Sequence, residues 1–436
     1  MTAHPRLTRR AFGAMVGAAG LAGCSRLWSA EQAMSASLSP GALDAALTEY
    51  REALDQAAAG LVVYRSGRPV YEATSGAAAG LSPAEQAAGV PWRAFTPSTP
   101  FRVASQSKAV VALTALRLAD EGHVDLWADV SPVLGFTLRH PDQPNVPITL
   151  AMLLAHVSGV RDPAAYWVPA PRRIERLVTP EMFAPLEGRR LGTWFEYANL
   201  NFGLAATVME AATGERFDQL TERLVLAPAG LDAGFNWAGV SPDRRASGAS
   251  LYRRATAETE ADAGTGAWTV QTDGPETLSS ASLPLLLEDG FDLASYQPGT
   301  NGTLFSPQGG LRGSLRDLAA LAQTYRRTPA MGARRWSLAS DGSNGLHDDR
   351  FFQAVGLGLI GYDAAASPIP GYTVLGHHGE AYGLHGAFWR VPDADVAIAY
   401  AAIGVPEGRH PPVRHPGLNA YTAPLAALGA QAAGLT

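Results

Sequence analysis

Of the 34 lysine and arginine residues in the chain only one is a lysine: Lys108, three positions after Ser105 in Phe101-Arg-Val-Ala-Ser-Gln-Ser-Lys108. Wherever a positive charge alone is wanted, this sequence uses arginine. A guanidinium cannot give up its proton in a protein, whereas a buried lysine amine does so readily and can then act as a base. Positions three apart share a helix face, which would set the amine beside the Ser105 hydroxyl. An amine that takes the hydroxyl proton turns serine into a nucleophile, the opening step of acyl transfer. Free N–H groups at a helix start would also favour an oxyanion there. Ser107 lies off that face and is assigned no role. A serine stands three before a lysine by chance in roughly one case in fifteen, so the pair needs a setting.

That setting begins with the run Ala109–Ala119, apolar enough for a buried helix with Ser105 at its start. Upstream, Gly41–Ala59 is helical in composition, and Leu61–Tyr64 and Pro69–Thr74 read as a hairpin joined by Arg65-Ser-Gly-Arg68. From Lys108 to about Leu226 the chain reads as mostly helical with proline-rich connections, and Gly239–Gly302 as long polar surface loops over a cleft. Ser314–Tyr325 is a helix opened by Ser314 and Asp317 as a capping box. Strands are expected at Val355–Tyr362, Tyr372–His378, His385–Val391 and, across the turn Pro392-Asp-Ala-Asp395, at Val396–Ile403. A last helix runs from about Ala420 to Gln431. The order predicts an α/β protein of the α+β type: an antiparallel sheet flanked by helices, with a helical subdomain inserted over about residues 109–300.

With 436 residues, 47% hydrophobic and 17% charged, the chain is globular and long enough for one large domain. A formal charge of −6 argues against nucleic acid and leaves a small-molecule or peptide substrate as the expected partner. The elbow G-x-S-x-G, the zinc motif H-E-x-x-H, the phosphate loop G-x-x-x-x-G-K and any cysteine cluster are all missing from the sequence, so no metal or other cofactor is expected.

At the N-terminus, Thr8-Arg-Arg-Ala-Phe12 precedes an apolar stretch, Gly13–Gly23, too short to span a bilayer, and Leu21-Ala-Gly-Cys24 closes it. This resembles a twin-arginine leader with a lipoprotein lipobox. Residues 1–23 are then a signal peptide, and 24–40, rich in Ser and Ala, a tether to the domain at 41–436. Cys24, the only cysteine, is the expected lipidation site, and it leaves no partner for an intramolecular disulfide. Export to the periplasm is expected, anchored in the membrane through the lipid; Ser25 after the cysteine resembles lipoproteins sorted to the outer membrane.

Several phrases in order, from about Leu61 to Gly404, resemble the serine β-lactamase and penicillin-binding protein superfamily, specifically its class C-like branch of esterases, D-amino peptidases and DD-carboxypeptidases. The segment ending at Lys108 is similar to the first motif, with Ser105 nucleophile and Lys108 base. Ile148-Thr-Leu-Ala-Met-Leu-Leu-Ala-His-Val-Ser-Gly159 resembles the structural helix placed next, with His156 read as a core residue. Tyr197-Ala-Asn199 is similar to the second motif, Y-x-N; Ser306-Pro-Gln-Gly-Gly310 to a glycine-rich turn; and His377-His-Gly379 to the third motif, K-T-G or H-x-G on a strand.

In that setting Tyr197 would share protons with Lys108, its phenolate stabilised by the ammonium. Asn199 would accept from Lys108 and donate to a substrate carbonyl. Gly379 would let substrate backbone come close, and the Glu380 N–H would join that of Ser105 in an oxyanion hole. His377 stands where lysine is usual and His378 where a hydroxyl is, which weakens carboxylate binding and hence β-lactamase activity. Protonating His377 near pH 6.5 would restore a cation there, and Arg390 is either a compensating cation or a solvated surface residue. The expected function is an esterase-like serine hydrolase acting through an acyl-enzyme on esters or amides, D-amino peptides among them. The alternatives are a DD-carboxypeptidase, a β-lactamase, or a non-catalytic penicillin-binding-type envelope lipoprotein.

Overall fold

The computed structural model describes residues 38–435 apart from 255–265, 271–286, 289, 326–327, 349, 407–412 and 414. The expected signal peptide, Cys24 and nearly all of the tether lie outside the described residues. Helix α1 (Pro40–Ala53) opens on Ser39, whose hydroxyl accepts from the Ala42 N–H, with Pro40 in the first turn. It ends earlier than its alanine-rich composition predicts, because Ala58 and Ala59 are drawn into strand β1 (Ala58–Arg65). That strand is bonded to neighbours on both sides, and two ladders outweigh a weak helix propensity.

Strand β2 (Arg68–Ala79) completes the hairpin and β3 (Arg93–Ala94) lies beyond it. The other strands come from the last third of the chain: β4 (Trp336–Ser337), β5 (Ala354–Val355), β6 (Ile360–Tyr362), β7 (Val374–Ala381), β8 (Leu384–Val391) and β9 (Val396–Ile403). The sheet order is β3-β2-β1-β9-β8-β7-β6-β5-β4, antiparallel throughout. The strand expected at Val355–Tyr362 is thus two strands. Gly356 and Gly358 turn the chain between them, the Gly356 N–H donating to the Leu359 carbonyl at 2.8 Å.

Strand β9, Val-Ala-Ile-Ala-Tyr-Ala-Ala-Ile, is buried along its whole length and shows no polar alternation, as a strand covered on both faces must. Its odd positions, Ala397 to Ile403, join a core with Leu315 and Leu318 of helix α5 (Leu315–Thr324), while Ile398 and Tyr400 join a second core with Leu43 and Leu425. Truncating a buried aliphatic side chain in either layer costs about 2–5 kcal/mol. On β1, Gly60 admits α5 to the sheet: a Cβ there would meet Leu315 Cδ1 at 2.5 Å. Helix α5 (Leu315–Thr324) starts on the expected capping box, Ser314 N–H donating to Asp317 Oδ2 at 2.8 Å and Ser314 Oγ accepting from the Asp317 N–H. The final helix, α6, spans Ala423–Ala432.

The helical block on the α5 side holds α2 (Ser107–Asp120), α3 (Leu150–Leu154) and α4 (Leu200–Thr213). Between Asp120 and Leu200 the expected helix is largely replaced by turns and 3-10 segments; only Ser131–Leu134 and α3 are α-helical among the described residues. Repeated prolines there remove N–H donors and break the helical ladder. The excursion at 239–302 is not wholly superficial either. Its Tyr252 and Tyr296 are buried, their rings too large and apolar to leave in water, and the rest of its polar run falls partly outside the described residues.

Candidate active site

Ser105 stands on a 3-10 turn, Ala104–Gln106, that leads directly into α2. Ala104 sits at φ 53°, the left-handed region, immediately before Ser105, at a cost on the order of 1 kcal/mol. The turn is pinned by the residue the sequence left without a role. Ser107 Oγ donates to the Ala104 carbonyl at 2.6 Å and accepts from the Leu311 N–H at 3.0 Å, tying the Ser105 turn to the glycine-rich segment.

Lys108 is fully buried one turn into α2. Its Nζ lies 3.0 Å from Ser105 Oγ, 2.9 Å from Asn199 Oδ1 and 2.8 Å from the Gln308 carbonyl. An ammonium donates to all three. A neutral amine keeps two of those bonds, to Asn199 and Gln308, and turns its lone pair to the Ser105 hydroxyl. Burial decides between the two forms: removing the charge from water pushes the amine down to about 7, against an upward pull from the Asp162 carboxylate.

Tyr197 and Asn199 face this amine from the start of α4. The Tyr197 phenol is close enough to Ser105 to be pulled down by it, but burial outweighs this and pushes its pKa well above the usual phenol value. The shared-proton picture with a stabilised phenolate is therefore corrected. Desolvation dominates, and the ammonium sits over the ring face, 4.8 Å from its centroid. Asn199 accepts from Lys108 as expected, and one of its two Nδ2 hydrogens goes to Asp162 Oδ2 at 2.9 Å. Asp162 was not singled out in the sequence. It takes the Asn199 and Leu200 backbone N–H groups at 2.9 and 2.8 Å, so it caps α4 where Asn199 itself does not. No spacing rule points to it; it follows Gly159 by three residues in a loop. Gln308, equally unmarked, acts through its carbonyl, which any residue could supply.

The third motif lies on β7. Strand β6 pairs only with Val374–Gly376, so the edge from His377 to Ala381 is open and borders the Ser105 turn. Gly379 makes that approach feasible: a Cβ there would meet the Val103 carbonyl at 2.5 Å and Gln106 Nε2 at 2.7 Å. The residue is thus glycine because the Ser105 turn already fills the space a side chain would need. The Glu380 side chain is exposed, 3.6 Å from His385, and its N–H belongs to the open edge segment.

His377 faces Tyr197, with ring centroids 6.3 Å apart, and its Nδ1–H donates to the His378 carbonyl at 2.7 Å. Burial and the neighbouring Lys108 hold its pKa down to about 3. Titration near 6.5 is thereby corrected: the ring is neutral across the working range and supplies no cation. His378 points to the opposite face, against Trp389 and within 3.0 Å of the Tyr362 hydroxyl. Arg390 is neither a substitute cation nor a surface residue. It is buried and paired with Asp395 and the Val396 carbonyl, where it closes the β8–β9 turn.

The beta-lactamase family model matches residues 43–420, most of the chain. The chain belongs to the beta-lactamase family. Members of this family are serine hydrolases. Protein flp of Staphylococcus aureus (strain N315) is 30% identical over 136 residues, 30% of this chain and 27% of that protein. A D-aminopeptidase of Gluconobacter oxydans (strain 621H) is 31% identical over 150 residues, 32% of this chain and 26% of that protein. The matched stretches thus span about a quarter of the length of these curated relatives. In fold the chain is similar to the octameric penicillin-binding protein homologue from Pyrococcus abyssi, with a TM-score of 0.62 at 17% identity over 90% of this chain and 77% of that one.

Proposed function

We propose that this family member is a serine hydrolase that cleaves esters and amides through an acyl-enzyme on Ser105, with short neutral acyl esters preferred over β-lactams. One observation carries the reading: the sole lysine is buried against Ser105 Oγ with its amine pushed down to about 7, where a base works best at neutral pH. In this mechanism Ser105 Oγ attacks the substrate carbonyl and Lys108 takes its proton. The N–H groups of Ser105 and Glu380 receive the oxyanion. Tyr197 relays the proton held by Lys108 to the departing oxygen or nitrogen, which leaves Tyr197 a phenol and Lys108 a neutral amine. Lys108 then takes a proton from the attacking water and returns it to Ser105 Oγ as the acyl-enzyme is cleaved.

The preference for neutral esters rests on charge. With His377 neutral and Arg390 bound to Asp395, the third motif offers no cation for a substrate carboxylate. The similarity to a D-aminopeptidase supports including D-amino amides and peptides among the substrates. The test is a parallel assay of p-nitrophenyl acetate and butyrate, D-amino acid amides, D-Ala-D-Ala peptides and nitrocefin. Ester turnover well above that of nitrocefin is expected; nitrocefin cleaved faster than every ester would overturn the preference.

We further propose that the protein works in the cell envelope, held by lipid on Cys24. Replacing Cys24 with serine should move it from the membrane to the soluble periplasmic fraction, because among the described residues no helix is long and apolar enough to cross a membrane. A Cys24→Ser protein that stays with membranes after a high-salt wash would refute the anchor.

A further inference from the structure

We propose that His156 is a positioning residue for catalysis: its imidazole holds the phenol of Tyr197 in place against Ser105. This rests on the serine-hydrolase reading above and adds a residue to it. His156 engages three consecutive residues at the start of the second motif, Glu196 just before it and Tyr197 and Ala198 within it. Its carbonyl accepts from the Glu196 N–H at 3.0 Å, its Nδ1 accepts from the Ala198 N–H at 3.1 Å, and its ring stacks on Tyr197 with centroids 4.3 Å apart and planes 19° from parallel. Tyr197 also stacks on Phe352, at 5.3 Å and 21°. A ring stacked on two others loses both contacts when it tilts, and the backbone bonds at 196 and 198 limit its turning in plane. The freedom removed is the freedom to move the phenol oxygen. A misplacement of about 1 Å at a reacting group can cost on the order of 10²-fold in rate.

The tautomer follows from the bonds. Because Nδ1 accepts from a backbone N–H, the ring proton sits on Nε2, which is buried and has no hydrogen-bond partner among the described residues. With Nδ1 engaged and Nε2 protonated, His156 has no lone pair to offer Ser105, so it is not the base. An imidazolium would lose the Ala198 bond and face the Lys108 charge; burial and Lys108 accordingly hold its pKa well below the usual histidine value. His156 sits at φ 57°, just past the end of α3, a left-handed position that histidine and asparagine adopt more readily than most side chains.

A plain core role and a positioning role predict different couplings with Tyr197. The test measures kcat and KM for p-nitrophenyl butyrate, and the rate of phosphonylation by a fluorophosphonate probe, in proteins checked for folding by circular dichroism. The variants are His156→Phe, which keeps the stack and drops the acceptor, and His156→Asn, which keeps an acceptor and drops the ring. Each is made in the native and the Tyr197→Phe background. In the native background kcat and the phosphonylation rate should fall on the order of 10- to 10²-fold with KM changed less than about twofold. In Tyr197→Phe the same changes should cost less than about twofold, since no hydroxyl remains to be placed. Native-like rates in both folded variants, or equal losses in the two backgrounds, would overturn the role. A Ser105→Ala control that still hydrolyses the ester would instead overturn the hydrolase reading, and this inference with it.

Discussion

Replacing Ser105 with alanine will abolish ester hydrolysis while the protein stays folded, a loss on the order of 10⁴-fold or more. The expectation follows from what the oxygen touches. Its partners are Lys108 and Tyr197, both parts of the proposed chemistry, whereas the turn that carries it is held by Ser107 and by the packing of Gly379 against Val103. Deleting Oγ therefore removes the nucleophile and no structural bond. A fluorophosphonate probe should label the wild-type protein and leave Ser105→Ala blank at equal concentration and unchanged Tm. Labelling of the variant at the wild-type level would place the nucleophile elsewhere.

The second large effect is expected from Lys108→Arg, at least about 10²-fold in kcat. Arginine suits this chain everywhere else, so the exchange isolates loss of the proton from loss of charge. A neutral amine near 7 takes the Ser105 proton; a guanidinium, charged at every working pH, cannot. The sign with pH follows. In the wild type, kcat/KM for a neutral ester should rise as pH passes upward through about 7, because the base is the unprotonated form, and fall below it. His377 does not blur this limb, being neutral already. The arginine variant should lack the limb altogether. Activity within threefold of wild type, or a pH limb that survives the substitution, would remove Lys108 from the role of base.

The fold was legible wherever local pattern and tertiary demand agree. The long apolar strands β8 and β9, the capping box at Ser314 and the helix behind Ser105 each carry a signal within a dozen residues. Legibility failed where a distant partner overrode it. Ala58 and Ala59 read as helix but pair with Ile403 and Ala402, and Val355–Tyr362 reads as one strand until Gly356 and Gly358 fold it back. At the site, Asp162 was missed and His156 was read only as a core residue for the same reason: each contacts residues some 37 to 42 positions away, with no period or spacing to mark the contact.

The sequence by itself determined the kinds of chemistry available: a hydroxyl and the only lysine on one helix face, a tyrosine and an asparagine to meet them, and a histidine where a cation is usual. Only the tertiary structure decided what state those groups are in. Lys108 can give up its proton near neutral pH because α2 carries it fully into the core, where desolvation outweighs the pull of Asp162, and His377 is a neutral ring because it is buried in that interior beside Lys108. Tyr197 remains a phenol under the same desolvation. A residue's type sets which proton it can move; whether it moves at neutral pH depends on the water removed from around it and the charges left beside it, and those are supplied by segments far apart in the chain.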